Sequence, residues 1–234
     1  NWTKIPRLYV ECALGEAQQV NLDKDRVHYL KNVLRLKQGD MIRLFNGRDG
    51  DWLYCLDHID KKTGDARPVR QIQPQTHQAR RVHLVFAPIK KARLDFLIEK
   101  AVERGATDLY PVLTDFTQVR DLNGERVRKQ IIEAAEQCER QDIPNLHPLQ
   151  DLTAVLANWP EGISLMICVE RSDAPLISEQ DLSGETGVLI GPEGGLSEAE
   201  IALARNFKSV SLGPSVLRSE TAGIYALSCI MTQS

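Results

Sequence analysis

Gly191-Pro192-Glu193-Gly194-Gly195 follows directly on the apolar run Gly187-Val188-Leu189-Ile190, and Leu196-Ser197-Glu198-Ala199-Glu200 behind it reads as a helix start. A strand ending in a glycine turn before a helix lets backbone N–H and C=O groups approach a ligand, because glycine has no Cβ to hold it off. A second stretch repeats the design: Val210-Ser211-Leu212 leads into Gly213-Pro214-Ser215-Val216-Leu217-Arg218-Ser219-Glu220-Thr221-Ala222-Gly223 and then a helix. Taken alone, either turn is equally a β-turn or a helix cap. Two such junctions close together predict one composite ligand site at the C-terminal edge of a parallel sheet. The spacing is neither that of a dinucleotide loop nor that of a P-loop, and the first turn carries Glu193 with no Lys or Arg. A phosphate cradle calls for the opposite charge. The ligand indicated is neutral or cationic and held by backbone contacts.

The elements that must position these loops are legible by pattern. Residues 7–11, 41–45, 52–56 and 66–72 read as short strands with turns at Asn46-Gly47 and Asp49-Gly50, and residues 25–36 as a helix with Val27, Leu30, Val33 and Leu34 on one face. This predicts a small barrel, followed by a polar linker over Gln73–Gln78. Strands then alternate with helices. Strands are expected at 82–87, 109–113, 164–169, 187–190 and 210–212. Helices are expected at 93–104, 125–140, 151–159, from Ser197 to about Asn206, and from Ser219. Ser197 with Glu200 has the spacing of a capping box. The pattern predicts an α/β sheet.

Composition is that of a globular chain: 42% hydrophobic, 26% charged, and no apolar run near the roughly 20 residues of a membrane span. Five scattered cysteines without a C-x-x-C pair fit reduced thiols in a cytoplasm, and the five histidines show no metal spacing. The net charge of −3 hides a split: residues 1–150 hold 25 Lys+Arg against 21 Asp+Glu, and residues 151–234 hold 4 against 11. Such a split is ordinary solvated surface, or else a division of labour with nucleic acid on the basic part and a cationic ligand on the acidic part.

IGPEGGLSEAE at 190–200 and LGPSVLRSETA at 212–222 resemble the two signature segments of the RsmE family of 16S ribosomal RNA uridine-N3 methyltransferases. The resemblance extends to His28–Leu36, Gly39-Asp40, Leu44–Gly47, Lys90-Lys91, Leu97–Ala101, and Glu133–Cys138 with Arg140 and Pro144, covering nearly the whole chain in order. Thr114-Asp115-Phe116-Thr117 stands where that family has something like Thr-Glu-Arg-Ser, and Glu103-Arg104-Gly105-Ala106 where it has Glu-Leu-Gly-Val. The resemblance implies a PUA-like RNA-binding barrel over 1–74 and, over 75–234, a SPOUT-type α/β methyltransferase domain with a deep trefoil knot. It further implies S-adenosylmethionine as cofactor, no metal, a homodimer, and a uridine of 16S rRNA in the 30S subunit as substrate.

On that reading Leu189, Ile190, Gly191, Pro192, Glu193, Gly194, Gly195, Leu212, Gly213, Val216, Leu217, Thr221 and Ala222 hold the cofactor. N3 of uracil carries a proton that must leave before it attacks a methyl sulfonium. Arg218 is either a surface ion-pair partner or the group that steadies charge on a uracil oxygen. Glu220 is either the proton acceptor or a carboxylate favoured by a helix N-terminus. RNA contacts are expected from Arg7, Arg26, Lys31 and Arg35 as a basic stripe, from Lys90, Lys91 and Arg93 at a strand end, and from Gln137 and Arg140 on the helix carrying Glu133, or these are solvated surface. A ribose 2′-O-methyltransferase of the same class, a non-catalytic RNA-binding module and an ordinary doubly wound nucleotide-binding enzyme are the rival readings.

Overall fold

A computed structural model describes residues 2–76, 80–170 and 172–233; His77 and Gln78, the end of the expected linker, lie outside them. Contacts divide the chain into two units, Asn1–His77 with Ala135–Ile143, and Gln78–Ala134 with Pro144–Ser234.

The first unit contains β1 (Arg7–Tyr9), β2 (Val20–Leu22), α1 (Lys24–His28), β3 (Met41–Phe45), β4 (Asp51–Ile59) and β5 (Gly64–Gln73), with sheet order β1-β3-β4-β5-β2. Only β1 and β3 pair in parallel. The β4–β5 register shifts at three points, and bulges of this kind bend and twist a sheet. Leu8, Val20, Ile42, Leu44, Tyr54 and Leu56 fill its concave side with Val27 and Leu30. The helix expected over 25–36 is α-helical only to His28 and continues as a π-helical turn, Tyr29–Val33. The wider turn rotates the apolar face, so Leu30 stays buried while Val33, expected inward, is 58% exposed. β2 escaped the sequence reading because three residues are too few to show alternation.

The second unit is a parallel sheet. Its elements are β6 (Val82–Phe86), α2 (Lys91–Glu103), β7 (Asp108–Leu113), α3 (Gly124–Gln137), β8 (Asn145–Leu146), β9 (Gln150–Asp151), α4 (Leu152–Ala157), β10 (Ser164–Cys168), β11 (Thr186–Ile190), α5 (Glu198–Leu203), β12 (Lys208–Val210) and α6 (Ser219–Thr232). The strand order is β12-β10-β11-β6-β7-β8, with β9 also on β7. Every residue of β6 and of β11 is buried, as a strand covered on both faces requires. Helix α6 packs against α2, β6 and β11 through Ala222, Gly223, Ala226, Leu227 and Ile230. A Cβ at Gly223 would lie 2.8 Å from Leu97, so this close approach depends on the missing side chain. β12 begins and ends two residues earlier than expected, which leaves Ser211 and Leu212 to the following loop.

Candidate functional site

Parallel strands all end on one side, so the loops after β10, β11 and β12 meet at a common edge. They enclose a cavity of about 360 Å³, lined by residues 168–170, by Ile190 to Glu193 with Gly195, Leu196 and Ile201, and by residues 212–219 with Ala222. This volume is in the range that holds a small ligand. Gly195 has φ +75° and Gly213 φ +118°, a backbone region other residues rarely adopt, and a Cβ built on either meets nothing within 4 Å. Glycine is therefore demanded here by the backbone, and the room beside it is left open. Gly195 N donates to Pro192 O (2.9 Å), closing the first turn, and Ser219 Oγ donates to Gly191 O (3.0 Å), tying α6 to it.

A further loop supports the turn from outside. The Thr114 and Thr117 hydroxyls bond at 2.8 Å, Asp115 N donates to Glu200 Oε1 (2.9 Å), and Ser197 Oγ donates to Asp115 Oδ2 (2.6 Å). The capping box forms as expected, Ser197 N donating to Glu200 Oε2 and Glu200 N to Ser197 Oγ. A Cβ on Gly194 would sit 3.0 Å from the Phe116 Cβ. The residues at 114–117 that depart from the resembled pattern thus brace the glycine turn.

The charged groups separate by exposure. Arg218 lines the cavity and is exposed. Glu220 is 8% exposed, and its Oε2 has no hydrogen-bond partner among the described residues. Arg93 Nη1 lies 3.3 Å from Glu193 Oε1, and Arg93 Nε 3.7 Å from Glu220 Oε1. Cys168 also lines the cavity. Burial, and then the neighbouring Cys229, push its pKa up to about 12, so it remains a thiol at neutral pH.

Most of the expected loop residues line this cavity, with three exceptions. Leu189 is packed in the hydrophobic core beneath it, Gly194 turns to Phe116, and Thr221 is exposed outside the lining. Glu220 follows the lining residue Ser219 but is not itself part of the lining. Unanticipated lining residues include Val169, Glu170, Leu196, Ile201 and Ser215. Glu170 had a signal: it lies just past the end of a strand in a parallel sheet, where ligands gather.

Two expected RNA contacts are corrected. Arg7 is 7% exposed, with all three guanidinium nitrogens engaged. Nε and Nη2 donate to Asp51 (3.0 and 2.9 Å), Nη1 to Ala135 O and Nη2 also to Arg140 O, over the Phe45 ring at 3.5 Å. Arg140 lies past the end of α3, is 9% exposed, and grips Asp142 through Nε and Nη2. Neither guanidinium presents a face to a phosphate. Arg26 is half-buried, donating to Tyr9 O and Asp23. Lys31 is half-buried with Nζ 3.5 Å from Ile59 O, while Arg35, Lys90, Lys91 and Gln137 are exposed. No group of three or more His, Cys, Asp or Glu suited to a metal ion occurs among the described residues. No described helix is long and apolar enough to cross a membrane.

Comparison with known proteins gives this geometry a family. The RNA methyltransferase domain family matches residues 76–231, and the RNA methyltransferase PUA domain family matches residues 22–69. The chain is 35% identical to the ribosomal RNA small subunit methyltransferase E of Rickettsia conorii, over 96% of this chain and 94% of that protein. A crystal structure of a ribosomal RNA small subunit methyltransferase E from Neisseria gonorrhoeae bound to S-adenosyl methionine matches with TM-score 0.90 and 28% identity, over 97% of both chains. A putative methyltransferase from Legionella pneumophila in complex with the same cofactor matches with TM-score 0.88 and 27% identity, over 98% of both chains. The strand-end cavity and the curled N-terminal sheet therefore sit in an RNA methyltransferase, and the chain belongs to the ribosomal RNA small subunit methyltransferase E family.

Proposed function

We propose that this protein methylates N3 of one uridine in 16S rRNA, using S-adenosylmethionine, on the assembled 30S subunit, as a cytoplasmic homodimer. The observation that carries the reading is the cavity itself, which joins two glycine loops whose open backbone faces a lining with Glu170 and Glu193 against a single cation, Arg218. Glu170 suits a sulfonium cation, Glu193 being already paired with Arg93, the apolar Leu196, Ile201 and Val216 suit an adenosyl group, and the bare glycine backbone suits its polar edges. The cofactor, when bound there, supplies an electrophilic methyl group.

The chain's own residues do the rest. Arg218 orients the base and balances negative charge on a uracil oxygen. Glu220, buried behind the cavity lining, takes the N3 proton after its carboxylate turns toward the base, which leaves the ring nitrogen free to attack. Residues 1–74 grip RNA through exposed cations such as Arg35, while residues 75–234 carry the chemistry, and Lys90 and Lys91 meet phosphate. The trefoil knot belongs to the same proposal, supported by β11 lying between β10 and β6 while β12 lies beyond β10.

The test uses purified protein, methyl-labelled cofactor and small subunits from a strain lacking the gene. Label is expected in 3-methyluridine of 16S rRNA. Label in a 2′-O-methylated nucleoside, or in tRNA alone, overturns the substrate assignment.

A further inference from the structure

Three neighbouring strands end at the open edge of the parallel sheet. β11 runs into the glycine turn, β6 beside it leads to Lys90 and Lys91, and β7 beyond β6 leads to the loop that starts at Thr114. Lys90 and Lys91 are exposed, and so is Arg120 further along the β7 loop. The same loop carries Phe116, an aromatic residue that is 49% exposed.

One exposed apolar residue is ordinary on a protein surface. The seating of this one is not. Thr114 and Thr117 on either side of it are 4% and 5% exposed. Thr117 N donates to Thr114 O (3.1 Å) and Thr114 N to Thr117 Oγ1 (2.8 Å), a closed turn that leaves the Phe116 ring outside. Asp115 N donates to Glu200 Oε1 and Asp115 Oδ2 accepts from Ser197 Oγ, so the turn is also anchored to the start of α5. A Cβ built on Gly194 would lie 3.0 Å from Phe116 Cβ and 3.4 Å from its ring Cγ. The root of the ring therefore rests on bare glycine backbone. Glu193 and Gly195 line the cofactor cavity, whereas Gly194 between them faces Phe116. The ring thus stands on the outer side of the cavity rim, with the glycine turn between it and the cavity.

A base being methylated must meet the cavity side of that turn, and the strand that carries it must cross the rim. Cations together with an aromatic face are what single-stranded RNA requires, the cations for phosphate and the ring for a base. Phe116 stands where the resembled pattern has an arginine, and a phenyl ring offers RNA a flat face without a charge.

We propose that Phe116 is a stacking platform for the base of a nucleotide next to the methylated one, holding the rRNA strand across the rim of the cavity. This rests on rRNA being the substrate, and it is independent of which atom of the target nucleotide receives the methyl group.

The test compares the full-length parent with Phe116→Ala, Phe116→Leu and Phe116→Trp on small subunits from a strain lacking the gene. Methylation is measured at several salt concentrations, cofactor affinity by calorimetry and oligomeric mass by ultracentrifugation. Phe116→Ala is expected to raise KM for the subunit about tenfold or more, the scale of one lost base stack, with cofactor affinity unchanged. Phe116→Trp should match the parent, and Phe116→Leu, apolar but without a flat ring, should not. The salt dependence of KM should stay parental in every variant, because no phosphate contact is lost. Cofactor binding weakened in Phe116→Ala and restored in Phe116→Leu would make the ring a mere brace for the glycine turn and overturn the proposal. So would a changed oligomeric mass, which would assign the ring to a contact between copies, or a parental KM in Phe116→Ala. A parent that methylates no rRNA of the subunit would instead remove the substrate reading, and the platform with it.

Discussion

The two ends of the parallel sheet handle carboxylates in opposite ways. At the N-terminal end Asp108, fully buried, accepts from Arg81 Nε and Nη2 (3.1 and 2.7 Å), Thr107 Oγ1 (2.8 Å) and Asn145 Nδ2 (3.3 Å), and pairs with His147 Nε2 (3.0 Å). His83 joins through Glu185 (3.1 Å), His147 stacks on Tyr110 at 3.7 Å, and Trp159 meets His83 edge-on. At the C-terminal end Glu220 is nearly as buried yet keeps an oxygen without a partner, and the glycine turns leave open space. The Asp108 carboxylate is saturated where strands begin, although His83 Nδ1 beside it has no hydrogen-bond partner among the described residues, and at the other edge one Glu220 oxygen has none either. The two buried acids differ in how many donors each has been given rather than in burial.

Four substitutions test that separation. The largest effect is expected at the open end, where Arg218→Ala should lower methyl transfer by about 10²-fold or more, the scale of losing one donor to developing charge, with little change in Tm. A fall in Tm matching the fall in turnover would break the comparison. At the saturated end Asp108→Asn should leave turnover of the folded protein unchanged and cost about 2 kcal/mol in urea unfolding. That figure follows from a carboxylate moved from 3.8 to about 2. Desolvation raises the Asp108 pKa, but hydrogen bonds from Arg81, His147 and Thr107 outweigh it.

The sign of the pH dependence is fixed by the same shifts. The unfolded chain protonates Asp108 first, so this stability is present above about pH 4 and is lost as pH falls toward 2. His83 has its pKa lowered from 6.5, by desolvation against the pull of Glu185, so stability starts to fall once pH drops below about 6.5. Urea midpoints between pH 7 and 2 should therefore decline in two stages, and Asp108→Asn should flatten the lower one while deepening the upper, because the Asp108 charge helps hold the His83 pKa up.

Gly195→Val is the next smaller effect. A β-branched residue at φ +75° costs about 1–2 kcal/mol, and its methyls would occupy the open space of the cavity. Calorimetry should show S-adenosylmethionine binding weakened about tenfold or more. Ser219→Ala should be smallest, near 1 kcal/mol, the worth of its bond to Gly191 O, and should loosen the cofactor loops without touching the acid stability profile.

The open end was the more legible of the two in sequence. An apolar run, then glycines, then a Ser-x-x-Glu helix start is local information, and β11, the turn and the capping box all form where the pattern puts them. The saturated end was invisible because its partners are far apart in sequence. Arg81, Asp108, His147 and Glu185 gain meaning only when parallel strands set their beginnings side by side. Arg7 misled for the same reason: a cation at a strand start reads as surface until Asp51, 44 residues away, lies beside it. The π-helical turn at Tyr29–Val33 was hidden because one added residue alters the period within a single turn.

The place of β11 in the sheet has a consequence for how the protein is made. Its two neighbours, β6 and β10, both precede it in the chain, so it must enter between strands that have already been synthesised. Chains fold roughly in order of synthesis, and non-local parallel pairing is the slow part. The glycine turn and the α6 start come later still in the chain. A nascent chain thus carries the curled N-terminal sheet long before the strands that frame the cavity are in place.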